Sequence, residues 1–158
     1  MSDLRATYAS FDPRIKRIVD MIPTAQRWPL LVTGPLSTWS NASKTIVLMG
    51  DAAHSMVNHM AQGAATSMED GAVLGRVLAQ VVCGAMDLKA AVSLYERIRM
   101  PKALFKQQVS FINGSIWHLP DGPLAEARNK AMKGELETGE RPLLRSPNLY
   151  GDPMTVLR

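Results

Sequence analysis

The sequence predicts an α/β architecture, mostly helical with one or two buried strands, and three observations carry that expectation. Thr45-Ile46-Val47-Leu48-Met49 is an unbroken β-branched and apolar run, which is how a strand covered on both faces reads. Gly63 to about Val82 is rich in Ala and spaces Met68, Ala72, Leu74, Val77, Leu78 and Val81 as a helix would. Beyond it, Leu88, Val92, Tyr95 and Ile98, then Leu104, Phe105, Val109 and Ile112, continue the helical period.

Each element has its own start and stop signals. Asp12-Pro13 forms an N-cap and first helical residue ahead of Ile15, Ile18, Val19 and Ile22, and Pro23 ends that helix. Trp28 to Val32 reads as a short extended segment, and Thr33-Gly34-Pro35 as a turn. Gly50-Asp51 closes the apolar run sharply. The small residues Ala64, Ala65, Ala72, Gly75 and Ala79 predict close packing of the long helix against a sheet. Gly84 ends that helix as its C′ residue, Asp87 caps the next, and Pro101 starts or kinks the one that follows. A short charged helix, Leu124 to Lys133, precedes a Pro- and Gly-rich tail. The expected organisation is a helical segment over 1–27, the main unit over 28–133 and an irregular tail over 134–158.

Composition narrows the function classes. At 158 residues and 46% hydrophobic, the chain has enough material for one core. No apolar run approaches the roughly 20 residues of a spanning helix, and the first residues lack a secretory h-region. With its single cysteine, Cys83, which reads as a small buried residue, the expectation is an intracellular, cytoplasmic protein without an internal disulfide. The net charge of +4 is thinly spread, with seven basic and six acidic residues before position 80 and eleven and eight from there on. The densest basic spots, residues 14–17 and 97–102, read as solvated helix faces, so no nucleic-acid partner is expected. Asp51, His54 and His59 lack a fourth converging ligand, so no metal is expected either. The methionines at 49, 56, 60 and 68 read as adaptable core filling.

The chemistry concentrates between residues 46 and 71. The apolar run delivers Asp51 at its C-terminal end, where open α/β sheets place their ligands. Twelve residues on, Gly63 opens the long helix, whose first amides (Gly63, Ala64, Ala65) form an electropositive end. A carboxylate accepts hydrogen bonds from a polyol, and free amides suit an electron-rich ring edge. Gly63 lets a planar group approach without a Cβ in the way. The pairing fits a flavin nucleotide.

The order Gly50-Asp51-Ala52-Ala53-His54, then Ala61-Gln62-Gly63, then Glu69-Asp70 resembles the second flavin motif of the FAD-dependent monooxygenases of the aromatic-hydroxylase type. Trp28-Pro29-Leu30, Gly34-Pro35-Leu36, Trp39, Tyr95-Glu96-Arg97 and residues 117–123 resemble their fungal salicylate-hydroxylase-like branch. Ser55 and Asn58 stand where many relatives carry proline. The resemblance implies the C-terminal fragment of a Rossmann-like FAD-binding fold, with 28–133 as a partial FAD-binding domain. It implies that Asp51 holds the ribityl hydroxyls, Gly50 permits the turn, and Gly63, Ala64 and Ala65 face the pyrimidine edge of FAD. It further implies NAD(P)H as reductant and a small aromatic substrate, while catalytic residues stay unassigned. The family's Gly-x-Gly-x-x-Gly phosphate motif has no counterpart here, since no Gly-x-Gly occurs in the chain. Weak FAD binding and no hydroxylation by this chain alone are therefore expected. The alternative is a non-catalytic relic or interaction module that folds by docking on a partner chain or on the missing N-terminal part.

Overall fold

The computed structural model describes residues 1–138 and contains six α-helices among them. It divides into two compact units, Met1–Leu30 and the chain from Leu31 on. In the first unit, α1 (Ser2–Thr7) is followed by α2 (Pro13–Met21). The Asp12 carboxylate accepts from the Arg14 amide at 2.8 Å, so the expected cap forms, with Pro13 in the first turn. Residues 22–39 form neither helix nor strand, and Trp28, Leu30 and Leu31 are exposed.

The second unit is built on a helix pair, α4 (Gly63–Val82) and α5 (Leu88–Trp117), with the short α3 (Asp51–His54) and a 3₁₀ turn at Asn58–Met60 packed beside it. Gly84, at φ +73°, closes α4: its amide donates to Val81 O, and that of Ala85 to Gln80 O, at 3.0 and 2.9 Å. The Asp87 side chain then accepts from the Ala90 amide at 2.9 Å and starts α5. Pro101 neither starts a helix nor breaks one; α5 runs through it for 30 residues. Trp39, Ala53, Val73, Val77, Ala91, Tyr95, Ile98 and Ala103 form the core. The charged helix near the C-terminus, α6, extends over Pro123–Thr138, so residues 134–138 are helical rather than irregular. The rest of the expected tail, 139–158, lies outside the described residues.

The expected buried strand is the main correction. Among the described residues there is no sheet, only a single antiparallel bridge between Ser40 and Val47. Leu48 N donates to Trp39 O at 2.7 Å and Asn41 N to Ile46 O at 3.2 Å, so residues 39–48 form a narrow hairpin-like loop. Val47 packs on the core, while Ile46 is 65% exposed, and Leu48 and Met49 also face outward. A β-branched run favours extended backbone, yet a strand exists only where a neighbour pairs with it, and here one side of one residue is paired.

Burial departs from the sequence pattern in the same sense. The face of α4 that enters the core is Thr66, Asp70, Val73 and Val77, and the small-residue stripe of Ala64, Ala72, Gly75 and Ala79 is exposed. Met68, Met49 and Cys83 are exposed as well, and Met56 and Met60 are half-buried. Within the basic stretch 97–102, Arg97 is exposed as expected but Arg99 is fully buried. The reason is what α5 packs against. Its buried face carries Glu96, Gln107 and Ser110 because the loops at 33–62 bring backbone groups that need polar partners, and Arg99 and Lys106 because α4 turns Glu69 and Asp70 toward them.

Glu96 shows this most clearly. Its Oε1 accepts from Thr38 Oγ1, Trp39 N and Ser40 Oγ, each at 2.7 Å, and its Oε2 pairs with the Lys44 ammonium. Burial opposes ionisation of this carboxylate, but Lys44, Thr38, Ser40 and the Trp39 amide outweigh it and hold the pKa at about 2. A depressed folded-state value means stability present above the ordinary value of 4.5 and lost as pH falls toward 2. Glu96→Gln is expected to lower stability at neutral pH by about 1.5–3 kcal/mol, the range for charged hydrogen bonds. The gap from wild type should close between pH 4.5 and about 2, as thermal unfolding across that range would show.

Candidate flavin site

The backbone turn at Gly50 begins the site. Gly50 sits at φ +62°, ψ −143°, a region closed to residues with a Cβ, and it is buried against α4. A Cβ there would lie 3.0 Å from Ser67 Oγ and 3.3 Å from Ser67 Cβ. Glycine is thus required twice, by conformation and by the close approach of the helix. The turn leads directly into α3, whose first residue is Asp51.

The structure brings Asp51 and the start of α4 together. Asp51 Oδ1 lies 4.0 Å from the point a Cβ on Gly63 would occupy, as does Met56 Cγ. The Asp51 side chain is exposed and makes no hydrogen bond or ion pair with the described residues. No side chain caps α4, and its first backbone bond runs from Thr66 N to Gln62 O at 2.9 Å. The amides of Gly63, Ala64 and Ala65 therefore precede the first amide with an intrahelical acceptor, that of Thr66. One uncommitted carboxylate and three uncommitted donors, beside a glycine that leaves space, fit a group presenting hydroxyls on one side and a carbonyl-bearing ring edge on the other.

What holds these parts is a buried polar network that the sequence alone does not single out. Asp70, on α4, is fully buried. Its Oδ2 accepts from the Gly50 amide at 3.0 Å and from His54 Nε2 at 2.5 Å; its Oδ1 accepts from Arg99 Nε at 2.7 Å. Arg99, also fully buried, donates through Nη2 to Thr66 O at 3.2 Å, and its Nη1 lies 2.8 Å from Glu69 Oε2. Lys106 completes the cluster on Glu69 at 2.9 Å. Burial disfavours the Asp70 carboxylate, but His54, Arg99 and the Gly50 amide outweigh it and keep its pKa below the ordinary range. The Glu69 carboxylate is likewise held low against burial, by Lys106 and Arg99. One signal is present in the sequence: Glu69-Asp70 places two adjacent carboxylates within an otherwise apolar helix.

Three further side chains fix the loop between Asp51 and Gly63. Ser55 Oγ accepts from Thr33 N at 2.7 Å, Gln107 Nε2 donates to Ser55 O at 2.9 Å, and Ser110 Oγ donates to Val57 O at 2.5 Å. Hydrogen bonds from α5 thus supply the stiffness that proline would bring at 55 and 58. The histidines separate. His54 is buried on Asp70, whereas His59 packs near His118, with ring centroids 4.9 Å apart. His118 ends α5, its Nδ1 2.8 Å from Gly114 O, as a turn residue would. Among the described residues no three potential metal ligands converge.

A model of the family described as FAD binding domain matches residues 36–106, the span that holds Gly50, Asp51, Gly63, Asp70 and Arg99. The chain is 36% identical to the FAD-dependent monooxygenase OpS4 of Beauveria bassiana, over 84% of this chain and 31% of the relative. It is 42% identical to 6-hydroxynicotinate 3-monooxygenase of Bordetella bronchiseptica, over 71% of this chain and 28% of the relative. The chain is thus similar to FAD-dependent monooxygenases, with residues 36–106 matching the FAD binding domain. Among solved structures, the chain matches Klebsiella pneumoniae HpxO, crystallised with FAD and uric acid. The TM-score is 0.71 at 27% identity, over 85% of this chain and 33% of HpxO. The chain spans about a third of the length of the relatives it matches.

Gly50→Ala is expected to destabilise this chain by about 2–3 kcal/mol, combining left-handed strain with the contact on Ser67. In a Ser67→Gly background the same substitution should cost less, because the contact is gone and only the strain remains. Chemical denaturation of wild type, both single variants and the double variant checks this.

Proposed function

We propose that residues 28–133 are the C-terminal part of the FAD-binding domain of a flavin-dependent monooxygenase, from a Rossmann-like fold whose remaining strands and helices lie outside this region. The observation that carries the reading is the juxtaposition of the Asp51 carboxylate with the uncapped amides of α4 at Gly63. In this reading Asp51 accepts hydrogen bonds from the ribityl hydroxyls, and Gly50 sets the carboxylate by its left-handed turn. Gly63, Ala64 and Ala65 donate to the pyrimidine edge, and the 20-residue helix behind them stabilises negative charge there. FAD, when bound, supplies the redox chemistry, taking electrons from NAD(P)H and directing one oxygen atom of O2 to the substrate. The substrate class is a small aromatic or heteroaromatic ring, in line with the hydroxynicotinate and hydroxybenzoate enzymes among the relatives.

A second reading has one observation in its favour. Ile46, Leu48 and Met49 form an extended, outward-facing apolar run with one bridged residue, which is the edge an additional strand would cover. Docking on another chain or segment would bury it, whether or not catalysis follows.

Riboflavin carries the ribityl chain and ring system without pyrophosphate or adenosine, so it isolates the proposed grip. Titration of the purified chain, followed by flavin fluorescence, is expected to give affinities for riboflavin and FAD within about threefold of each other. Asp51→Ala should weaken both by about tenfold, the equivalent of one charge-assisted hydrogen bond. Equal binding by wild type and Asp51→Ala removes Asp51 from the site. FAD binding a hundredfold tighter than riboflavin would show a second grip within this chain.

A further inference from the structure

We propose that Asp70 and Arg99 are positioning residues for the flavin grip, setting its carboxylate side and its amide side relative to each other. The inference rests on the reading of Asp51 and Gly63–Ala65 as that grip. α3 has only four residues, too few to hold its own orientation. A single oxygen brackets it: Asp70 Oδ2 takes the Gly50 amide just before Asp51 and the His54 ring at the other end. The other carboxylate oxygen takes Arg99 Nε, and the same guanidinium reaches Thr66 O, the carbonyl of the residue after Ala65. Both halves of the grip thus converge on one carboxylate–guanidinium pair, with neither Asp70 nor Arg99 exposed to reach the ligand.

The chemistry of the pair makes the role specific. An ionised carboxylate offers lone pairs on both oxygens, enough for Gly50, His54 and Arg99 at once. An Asn side chain has one acceptor oxygen and an amide that repels donors, so it keeps either the link to α3 or the link to α5. A Lys at 99 keeps a charge for Asp70 but loses the planar fork that serves Asp70 and Thr66 together.

The test is a double-mutant cycle read by riboflavin titration of the whole chain: wild type, Asp51→Asn, Asp70→Asn, Arg99→Lys, and each of the last two combined with Asp51→Asn. Far-UV circular dichroism verifies that each variant keeps its helices. The expected result is a loss of about tenfold for Asp70→Asn and for Arg99→Lys when Asp51 is intact, and of no more than about twofold when each is added to Asp51→Asn. Should Asp70→Asn fail to fold, the Arg99→Lys arm carries the same comparison. Equal losses in both backgrounds would assign the pair to general stability and overturn the proposal, as would undiminished binding by the variants. If Asp51→Asn alone binds riboflavin as wild type does, the grip itself is misassigned and the proposal falls with it.

Discussion

A carboxylate sealed from solvent organises this molecule. Removing Asp70 and Arg99 from water costs several kcal/mol per ion, and their mutual attraction does not by itself guarantee a return. The cost is offset here because the Asp70 oxygens receive a backbone amide, an imidazole and a guanidinium, so that both are satisfied. An apolar pair of the same size could fill the space, but it could not accept the Gly50 amide, which would then be buried without a partner. The ionic pair therefore specifies a position that apolar packing would leave open, that of a turn with no sheet beside it to hold it.

α5 generalises the same solution. Its buried face addresses loop after loop through polar side chains: Tyr95 donates to Leu48 O at 3.4 Å, Glu96 collects donors from 38–44, and Gln107 and Ser110 take carbonyls at 33, 55 and 57. Burial and the nearby Asp70 charge push the Tyr95 phenol above its usual pKa, so it stays a donor. The charges balance locally: Glu69 and Asp70 face Arg99 and Lys106, and Glu96 faces Lys44. A helix with such a face reads as solvated from sequence, because periodicity reports polarity and not the polarity of what lies opposite. That is why the pattern expects Arg99 at the surface while the fold seats it at the centre.

The parts of the candidate site are legible in the sequence because they are local. Gly50-Asp51 and Gly63-Ala64-Ala65 lie on one short stretch, and each offers only its own backbone or a short side chain. The caps at Asp12, Gly84 and Asp87 are legible for the same reason, since a helix end is decided within a few residues. The strand over Thr45–Met49 is the counter-example. Its composition sets an extended preference, but pairing needs a neighbour distant in the chain or beyond it, and among the described residues only Ser40 answers. The small-residue stripe on α4 fails similarly, since its residues permit close packing without providing a partner to pack against.

From the amino-acid order come the caps at Asp12, Gly84 and Asp87, the glycine turn, the candidate ligand groups and the family resemblance. Tertiary structure alone shows that Asp51 and Gly63 meet, that α4 buries its Thr66–Asp70 side, and that Arg99 reaches across from α5 to fasten both. The division has a physical cause. Capping and backbone conformation are governed by contacts a few residues apart, whereas the partner of a buried charge is fixed by distance in space, here 29 residues along the chain from Asp70 to Arg99.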